Sequence, residues 1–500
     1  MIRVLSSQQI KALDAYTIQH EPVASIDLME RACRAFVSWF TGRFDTSEQV
    51  GIVCGTGNNG GDGLGIARLL REWSYPVKVW CIRGGSETDD FKANLQRIQG
   101  KTEIVEITAA SSIHKDIFQD CDVVIDAIFG SGLSRPVEGI YAQVIHLLND
   151  TDTLRVAVDI PSGLMADRAS QGAIVRADYT VTFQIPKLAF FFPGNFQFVG
   201  EWCVVDIGLN KAFIHQTATQ HFHTTAKDIR RIIRPRGKFD HKGTYGHALL
   251  IAGSYGKMGA ALLSADALLR AGVGLLTVHI PKCGYTILQT AVREAMASID
   301  EHDHFFTIVP PLENYTTIGI GPGLGHDKQT VKAFRKVLED FRRPMVIDAD
   351  GLNILSANRE LFPLIPPGSI LTPHPKEFER LAGKWSDDFS RLEKQKALAG
   401  QLRSVIVVKG AFTSIATPDG NIYFNPTGNP GMATGGTGDV LTGILTGLLA
   451  QGYSSTDAAI AGVYIHGLAG DLAAREKEMI SLIASDVVNF LPSAFKKVIR

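Results

Sequence analysis

The feature that most limits what this chain can become is a unit that keeps returning. A short, wholly apolar run ends on a glycine or aspartate break, and a stretch of helical periodicity follows. Val50–Cys54 runs into Gly55-Thr56-Gly57-Asn58-Asn59-Gly60-Gly61-Asp62-Gly63, with a helix predicted over residues 64–73. The apolar half returns at Val77–Ile82, 123–128 and 155–159, and a further helix is predicted over 142–148. Runs this short and this apolar must be covered on both faces, as in a parallel sheet flanked by helices. Ahead of them, 6–20 and 24–41 carry helical periodicity, with Ser6 or Ser7 as N-cap.

The alternation starts afresh at 247–252 and continues through Leu275–Ile280, Thr317–Ile320, 344–348, 369–375 and 404–409. Residues 216–225 between the two series are polar and patternless, which predicts a boundary there. With 500 residues, too many for one ordinary core, the expectation is two α/β domains, 1–215 and 224–500. Each should be a three-layer α/β/α sandwich, the first Rossmann-like. No period of solenoid length repeats.

Charge narrows the partners. Lys and Arg total 50 against 51 Asp and Glu, with no long basic run, which disfavours nucleic acid. No apolar run approaches the ~20 residues that span a bilayer, and the opening residues lack the order of a signal peptide. Cysteines 33, 54, 81, 121, 203 and 283 form no CxxC and read as reduced, mostly buried thiols of a cytoplasmic protein.

The most informative stretch spans residues 429–447. Five glycines fall between Gly428 and Gly438, and an apolar helix is predicted from about Val440. A glycine-rich turn feeding a helix N-terminus aims backbone N–H groups at one point, a seat for a moving phosphoryl group. Asp439 can reach that point and accept a proton from an attacking hydroxyl. The plainer reading is that Thr437 or Asp439 caps the helix; the density of glycines favours a ligand. Lys409-Gly410 ends a strand with a cation and a flexible residue, and His374 is held extended between two prolines.

In the first half, residues 55–60 satisfy G-x-G-x-x-G, yet Ile82 is followed by Arg83-Gly84-Gly85 rather than an acid, which argues against a hydride-transferring dehydrogenase. No Walker A sequence occurs. Side-chain oxygens of Asn59, Asp126 and Ser162, at three strand ends, suit a hard cation of low charge; Asx turns tying the loops together are the alternative.

Together these motifs resemble a known family. Gly435-Gly436-Thr437-Gly438-Asp439 and Gly253-Ser254 are similar to ribokinase-like proteins, which implies that fold for 224–500. His241-Lys242-Gly243-Thr244-Tyr245-Gly246-His247, Gly321-Pro322-Gly323-Leu324-Gly325, Leu371-Thr372-Pro373-His374-Pro375 and Lys409-Gly410-Ala411 resemble the ADP-dependent NAD(P)H-hydrate dehydratases. Gly57–Gly63 and Asp159-Ile160-Pro161-Ser162-Gly163 resemble the NAD(P)H-hydrate epimerases, and the fused order is that of bifunctional repair enzymes.

The resemblance implies the following roles. Asn58, Asn59, Gly60, Gly61, Asp62, Gly130, Ser131, Gly132, Leu133, Ser134, Arg135, Pro136 and Asp159 would hold the hydrated cofactor, NADHX or NADPHX. Asn59, Asp126 and Ser162 would bind K⁺. Asp159, helped by Lys187, would move protons at the hydrated carbon. Ala260, Gly323, His374 and Asp439 would contact substrate in the dehydratase, while Lys409, Gly410, Ala411, Phe412, Thr413 and Gly438 would hold ADP with Mg²⁺. Lys376 departs from the family, which has glycine there. A homo-oligomer is expected. Two alternatives stay open on the residues alone: an ordinary small-molecule kinase with an accessory dinucleotide domain, against which the doubled dinucleotide-like loops speak, and a non-catalytic scaffold, which has no use for Asp439 and Asp159.

Overall fold

The computed structural model describes residues 1–109, 114 and 116–499, so 110–113 and 115 of the first expected domain and 500 of the second lie outside the described residues. The chain forms two compact units, one of residues 3–219 with 387–389, the other of 1–2, 220–386 and 390–500. The expected α/β class holds, with a largely parallel sheet in each.

In the first unit seven strands lie in the order Glu103–Ile107, Val77–Ile82, Val50–Cys54, Val123–Ala127, Leu154–Val158, Tyr179–Phe183, Glu201–Val205, all parallel. Chain order reverses between Val50–Cys54 and Val123–Ala127, which opens a crevice beyond their carboxyl ends. Helices Ser25–Thr41 and Asn58–Glu72 bury Phe36, Phe40 and Leu64 on one face. Helix Gly139–Asn149 buries Val144, Ile145 and Leu148 against Trp80 and Val124 on the other.

Two features depart from expectation here. Glu103–Ile107 at one edge and Tyr179–Phe183 with Glu201–Val205 at the other extend the sheet beyond the strands foreseen, and in Tyr179–Phe183 Thr180 is buried, its hydroxyl donating to the Val199 carbonyl at 2.7 Å. Helix Asn58–Glu72 begins at Asn58 rather than at 64. Glycines at 60, 63 and 65 disguise its first turns because they are poor helix formers. They are there for contact. A Cβ at Gly60 would sit 1.9 Å from the Gly55 carbonyl oxygen, and one at Gly63 2.6 Å from the Ala127 Cβ.

The second unit carries an eleven-stranded sheet. From Met296–Ile299 through Leu275–Ile280, His247–Ile251, Thr317–Ile320, Val346–Ile347 and Ile370–Leu371 to Val405–Val408 it is parallel. Ser414–Ala416 and Ile422–Phe424 then add antiparallel strands, with His221–His223 and the short Ile2–Arg3 outermost. The segment 216–225 is thus not patternless coil. His221–His223 takes its order from pairing with Ile422–Phe424, a long-range partner invisible in three residues. Chain order reverses between His247–Ile251 and Thr317–Ile320.

Helix Thr437–Ala450 packs against helices Met258–Arg270 and Ser455–Lys477. Gly443 and Gly447 serve this packing, since a Cβ at Gly443 would stand 2.1 Å from the Ser264 carbonyl oxygen. Among the described residues no helix is long and apolar enough to cross a membrane. All six cysteines are free; Cys33, Cys54 and Cys81 are buried and the other three half-buried.

Candidate active sites

In the second unit the loops after the reversed strands meet. The Gly253 N–H donates to the Pro322 carbonyl at 2.8 Å, and the Ser254 hydroxyl to that of Gly323 at 2.7 Å. Gly323 adopts φ 62°, and a Cβ there would lie 3.2 Å from that of Ala260, so these two expected contacts are neighbours. The same unit holds a cavity of about 890 Å³, at the upper end of the range for small-molecule sites, and neither Ala260 nor Gly323 is among its lining residues. Asp348, His374, Lys409, Thr413, the 435–438 turn and Asp439 line it.

Helix Thr437–Ala450 starts three residues before the expected Val440, after Gly436 in the left-handed region at φ 95°. This sets Gly438 and Asp439 in the first turn, where the backbone N–H groups have no helical acceptor. A Cβ on Gly438 would be 3.4 Å from Lys409 Nζ, so that edge of the turn faces the lysine. Burial, then repulsion from Asp348, lifts the Asp439 carboxyl from 3.8 to about 6, with Lys409 opposing.

Asp348 organises this corner, although only its place at a strand end marked it in the sequence. It is fully buried, accepts from Lys409 Nζ at 3.0 Å and from the Thr442 hydroxyl at 2.7 Å. The next residue, Ala349, sits at φ 48°, an uncommon conformation for a residue with a Cβ. Lys409 is in turn held by its N–H donating to the Pro373 carbonyl at 3.0 Å. Gly410 and Thr413 close a turn, the Gly410 N–H donating to the Thr413 hydroxyl at 3.2 Å. Ala411 in that turn is exposed and Phe412 half-buried.

His374 caps helix Pro375–Ala382, its Nδ1 accepting from the N–H groups of Lys376 and Glu377. That commits Nδ1 and leaves Nε2 to the cavity side, 3.5 Å from Glu377 Oε1. Lys376 uses only its backbone here and its side chain is exposed, so the departure from glycine leaves the cap intact. Sequence reasoning missed His466, which also lines the cavity. Its Nε2 is buried with no partner among the described residues, and burial pushes the ring down to about 4, so the imidazole is neutral.

In the first unit Asn58, Asn59, Gly60, Gly61 and Asp62 form the opening turn of a helix, not a loop. Asn59 is buried, packs on Gly130, and its amide nitrogen has no partner among the described residues. Asp126 and Ser162 are joined directly, the serine hydroxyl donating to Oδ1 at 2.6 Å and its N–H to Oδ2 at 2.7 Å. The Ile128 N–H closes an Asx turn on Asp126 at 3.2 Å. Burial lifts Asp126 to about 6 against these three bonds. Residues 130–136 form an adjoining turn, with Gly132, Ser134, Arg135 and Pro136 exposed and Gly130, Ser131 and Leu133 half-buried.

Asp159 lies just beyond Leu154–Val158 at φ 68°, in a tight turn closed by the Ile160 N–H on the Val158 carbonyl. Such a γ-turn is rare and strained. Its carboxylate is taken by the ammonium of Lys187, the Thr182 hydroxyl and the Phe183 N–H. Lys187 is 1% exposed, so its ammonium is shut away from bulk water, while Asp159 is partly open. Two further carboxyls, unforeseen as a group, lie within the field of Asp159. Asp14 is lifted to about 6 and Asp62 well above its usual range, each by burial and then by the charge of Asp159.

Comparison with known proteins agrees with both halves. Residues 248–493 match the family described as NAD(P)H-hydrate dehydratase, and 25–189 that described as YjeF-related protein N-terminus. The bifunctional NAD(P)H-hydrate repair enzyme of Moorella thermoacetica is 38% identical over 98% of this chain and 96% of its own. That of Escherichia coli is 34% identical over 93% and 88%. A crystal structure of the ADP/ATP-dependent NAD(P)H-hydrate dehydratase from Bacillus subtilis, co-crystallised with ATP and Mg²⁺, covers 56% of this chain and all of its own at 34% identity and a TM-score of 0.51. A ribokinase-like protein of Enterococcus faecalis is 28% identical, with a TM-score of 0.50. With such similarity along nearly its whole length, the chain belongs to the family of bifunctional NAD(P)H-hydrate repair enzymes.

Proposed function

We propose that residues 1–215 interconvert the R and S epimers of NADHX and NADPHX, and that residues 224–500 dehydrate the S epimer to NAD(P)H at the expense of ADP, yielding AMP and phosphate. The observation that carries the second half is Asp439: a carboxyl lifted to about 6, on the first turn of a helix, in a large cavity beside Lys409. Hydroxide leaves C6 of the nicotinamide ring poorly, and phosphate leaves readily. Asp439 takes the hydroxyl proton while the 435–438 amides and Lys409 hold the charge of the transferring phosphoryl group. Phosphate then leaves C6 as a proton leaves C5 to solvent, which restores the C5=C6 double bond of the ring.

Substrate would lie along Ala260, Gly323 and His374, and nucleotide along Lys409, Gly410, Ala411, Phe412, Thr413 and Gly438. Mg²⁺ brought with the nucleotide needs only one or two carboxylates besides phosphate oxygens. Asp350 is outside the cavity lining and is held by His326, Lys257 and the Gly325 N–H, whereas Asp348, which lines the cavity beside Asp439, would fit that need. Bound there, it neutralises phosphate charge.

In the epimerase half Asn58, Asn59, Gly60, Gly61 and Asp62, with 130–136 and Asp159, form the cofactor seat. Support comes from the helix start at Asn58, which leaves amides for a pyrophosphate at the sheet's switch point. Asn59, Asp126 and Ser162 would hold K⁺. The donors fit: no hydrogen bond holds the Asn59 side chain among the described residues, which leaves its carboxamide oxygen for a cation, and three hydrogen bonds leave Asp126 one of its roughly four lone-pair sites. Such an ion screens charge in the crevice. The six free thiols favour a cytoplasmic setting, and a homo-oligomer is expected, to be read by light scattering.

The test is direct. Supplied with an epimer mixture and ADP, the protein restores the near-ultraviolet absorbance of reduced nicotinamide completely. Recovery of only one epimer would remove the epimerase half of the proposal. No recovery, with phosphorylation of another alcohol, would replace it by a kinase.

A further inference from the structure

The epimerase reading leaves one chemical demand unmet. The hydrated carbon bears a hydroxyl and a ring nitrogen, so inversion proceeds by expelling water from one face and admitting it on the other. A proton must reach the leaving oxygen on the first face, and another must leave the incoming water on the second. Asp159 with Lys187 can serve one face. A second proton-transfer group has to come from elsewhere.

Helix Ser7–His20 supplies it. The Ser7 N–H donates to Asp167 at 2.7 Å, and the Asn210 N–H donates to the Thr17 hydroxyl at 3.1 Å. Between these ties Leu13 is fully buried in an apolar cluster that includes Ile185, two residues before Lys187. The next residue, Asp14, is thereby held where the charges of Asp159 and Lys187 both act on it. Asp62 feels the charges of Asp159 and Asp14. The carboxylate of Asp159 spends one oxygen, Oδ1, on Lys187, Thr182 and Phe183, and its Oδ2 has no hydrogen bond among the described residues. No hydrogen bond reaches the carboxyl of Asp14 or of Asp62 among the described residues.

Resting on the epimerase reading, we propose that Asp14 is the second catalytic acid–base of this site, working on the face of C6 opposite Asp159. In one direction Asp14 protonates the departing oxygen as the C6–O bond breaks and the ring-nitrogen lone pair forms the N1=C6 double bond. Water then bonds to C6 on the other face, the π electrons return to N1, and the released proton goes to Asp159. One water leaves, one enters, and a proton has passed from Asp14 to Asp159. Solvent exchange or a turnover in the opposite sense resets both.

Burial and the neighbouring Asp159 charge lift Asp14 to about 6, against the pull of Lys187, so part of it stays protonated near neutrality. The groups facing it are Asp159, Asp62 and Lys187. A group acting as acid must be protonated, so the rate should fall as pH rises above about 6.

The experiment follows conversion of the pure R epimer of hydrated NADPH to S by chromatography, without ADP, on the full chain. Asp14→Asn should lower kcat about a hundredfold, leave KM within about threefold, and abolish the alkaline limb, with Asp14→Glu recovering part of the rate. Asp62→Asn should raise KM and keep the limb. Circular dichroism and a melting curve report that each variant is folded, ADP-driven recovery from the S epimer that the dehydratase unit is untouched, and should Asp14→Asn prove unfolded, the wild-type pH profile decides. Absence of the alkaline limb in wild type, or a rate for Asp14→Asn within threefold of it, overturns the proposal. If Asp159→Asn and Lys187→Met also leave epimerisation untouched, the epimerase site itself is misplaced. If those two slow it while Asp14→Asn does not, only the role of Asp14 fails.

Discussion

Replacing Gly438 and Gly443 by alanine, one at a time, should move stability in opposite directions although both lie on helix Thr437–Ala450. At Gly438 the added methyl meets Lys409 Nζ at 3.4 Å and Asp348 Oδ2 at 3.8 Å, ordinary contacts. The helix then gains up to ~1 kcal/mol from alanine's propensity and the narrower unfolded state, a rise of about 2–4 °C in Tm. At Gly443 the methyl would stand 2.1 Å from the Ser264 carbonyl oxygen and 2.9 Å from the Ala267 Cβ, both on the packed neighbouring helix. Overpacking of that kind costs ~1–3 kcal/mol, more than the propensity gain, so Tm falls. Activity discriminates further. The Gly438 methyl intrudes where a phosphoryl group would meet Lys409, so ADP-dependent recovery should drop tenfold or more, equivalent to ~1.4 kcal/mol, with a raised KM for ADP. Calorimetry with and without ADP, beside the absorbance assay, reads both effects. A Gly438→Ala protein with full activity would mean that no ligand is held at this turn, and a lower Tm would refute the packing argument.

Asp439→Asn should abolish ADP-driven dehydration while epimer interconversion continues; loss of both in a folded variant would refute separate sites. The same variant should be more stable than wild type at neutral pH. An Asp lifted from 3.8 to about 6 is destabilising when ionised, by about 3 kcal/mol at ~1.4 kcal/mol per unit. That gain is present above about pH 6, shrinks as pH falls, and is gone below the unfolded value near 4; melting curves across this range check it. As a base Asp439 must be ionised, so wild-type dehydration should lose about tenfold between pH 7 and pH 5, on a limb absent from epimerisation. Lys187→Met, which strips Asp159 of its buried cation, should slow epimerisation and spare ADP-driven recovery from the S epimer.

Local pattern by itself determined a good deal. Apolar runs ending on glycine or aspartate specify buried parallel strands, because nothing else covers both faces of such short segments. Glycine spacing marked Gly435-Gly436-Thr437-Gly438-Asp439, and the order of the motifs marked the family. What it could not assign was the purpose of each glycine. Gly438 faces Lys409, whereas Gly443 and Gly60 yield space to a neighbouring backbone, and one-dimensional composition treats all three alike. Helix Asn58–Glu72 was obscured for that reason, and His221–His223 because its pairing partner lies two hundred residues away. Asp348, Asp14 and His466 drew no role from their flanking residues. Their importance arises from burial and from charges on distant segments, quantities that exist only once the sheet has brought strand ends together.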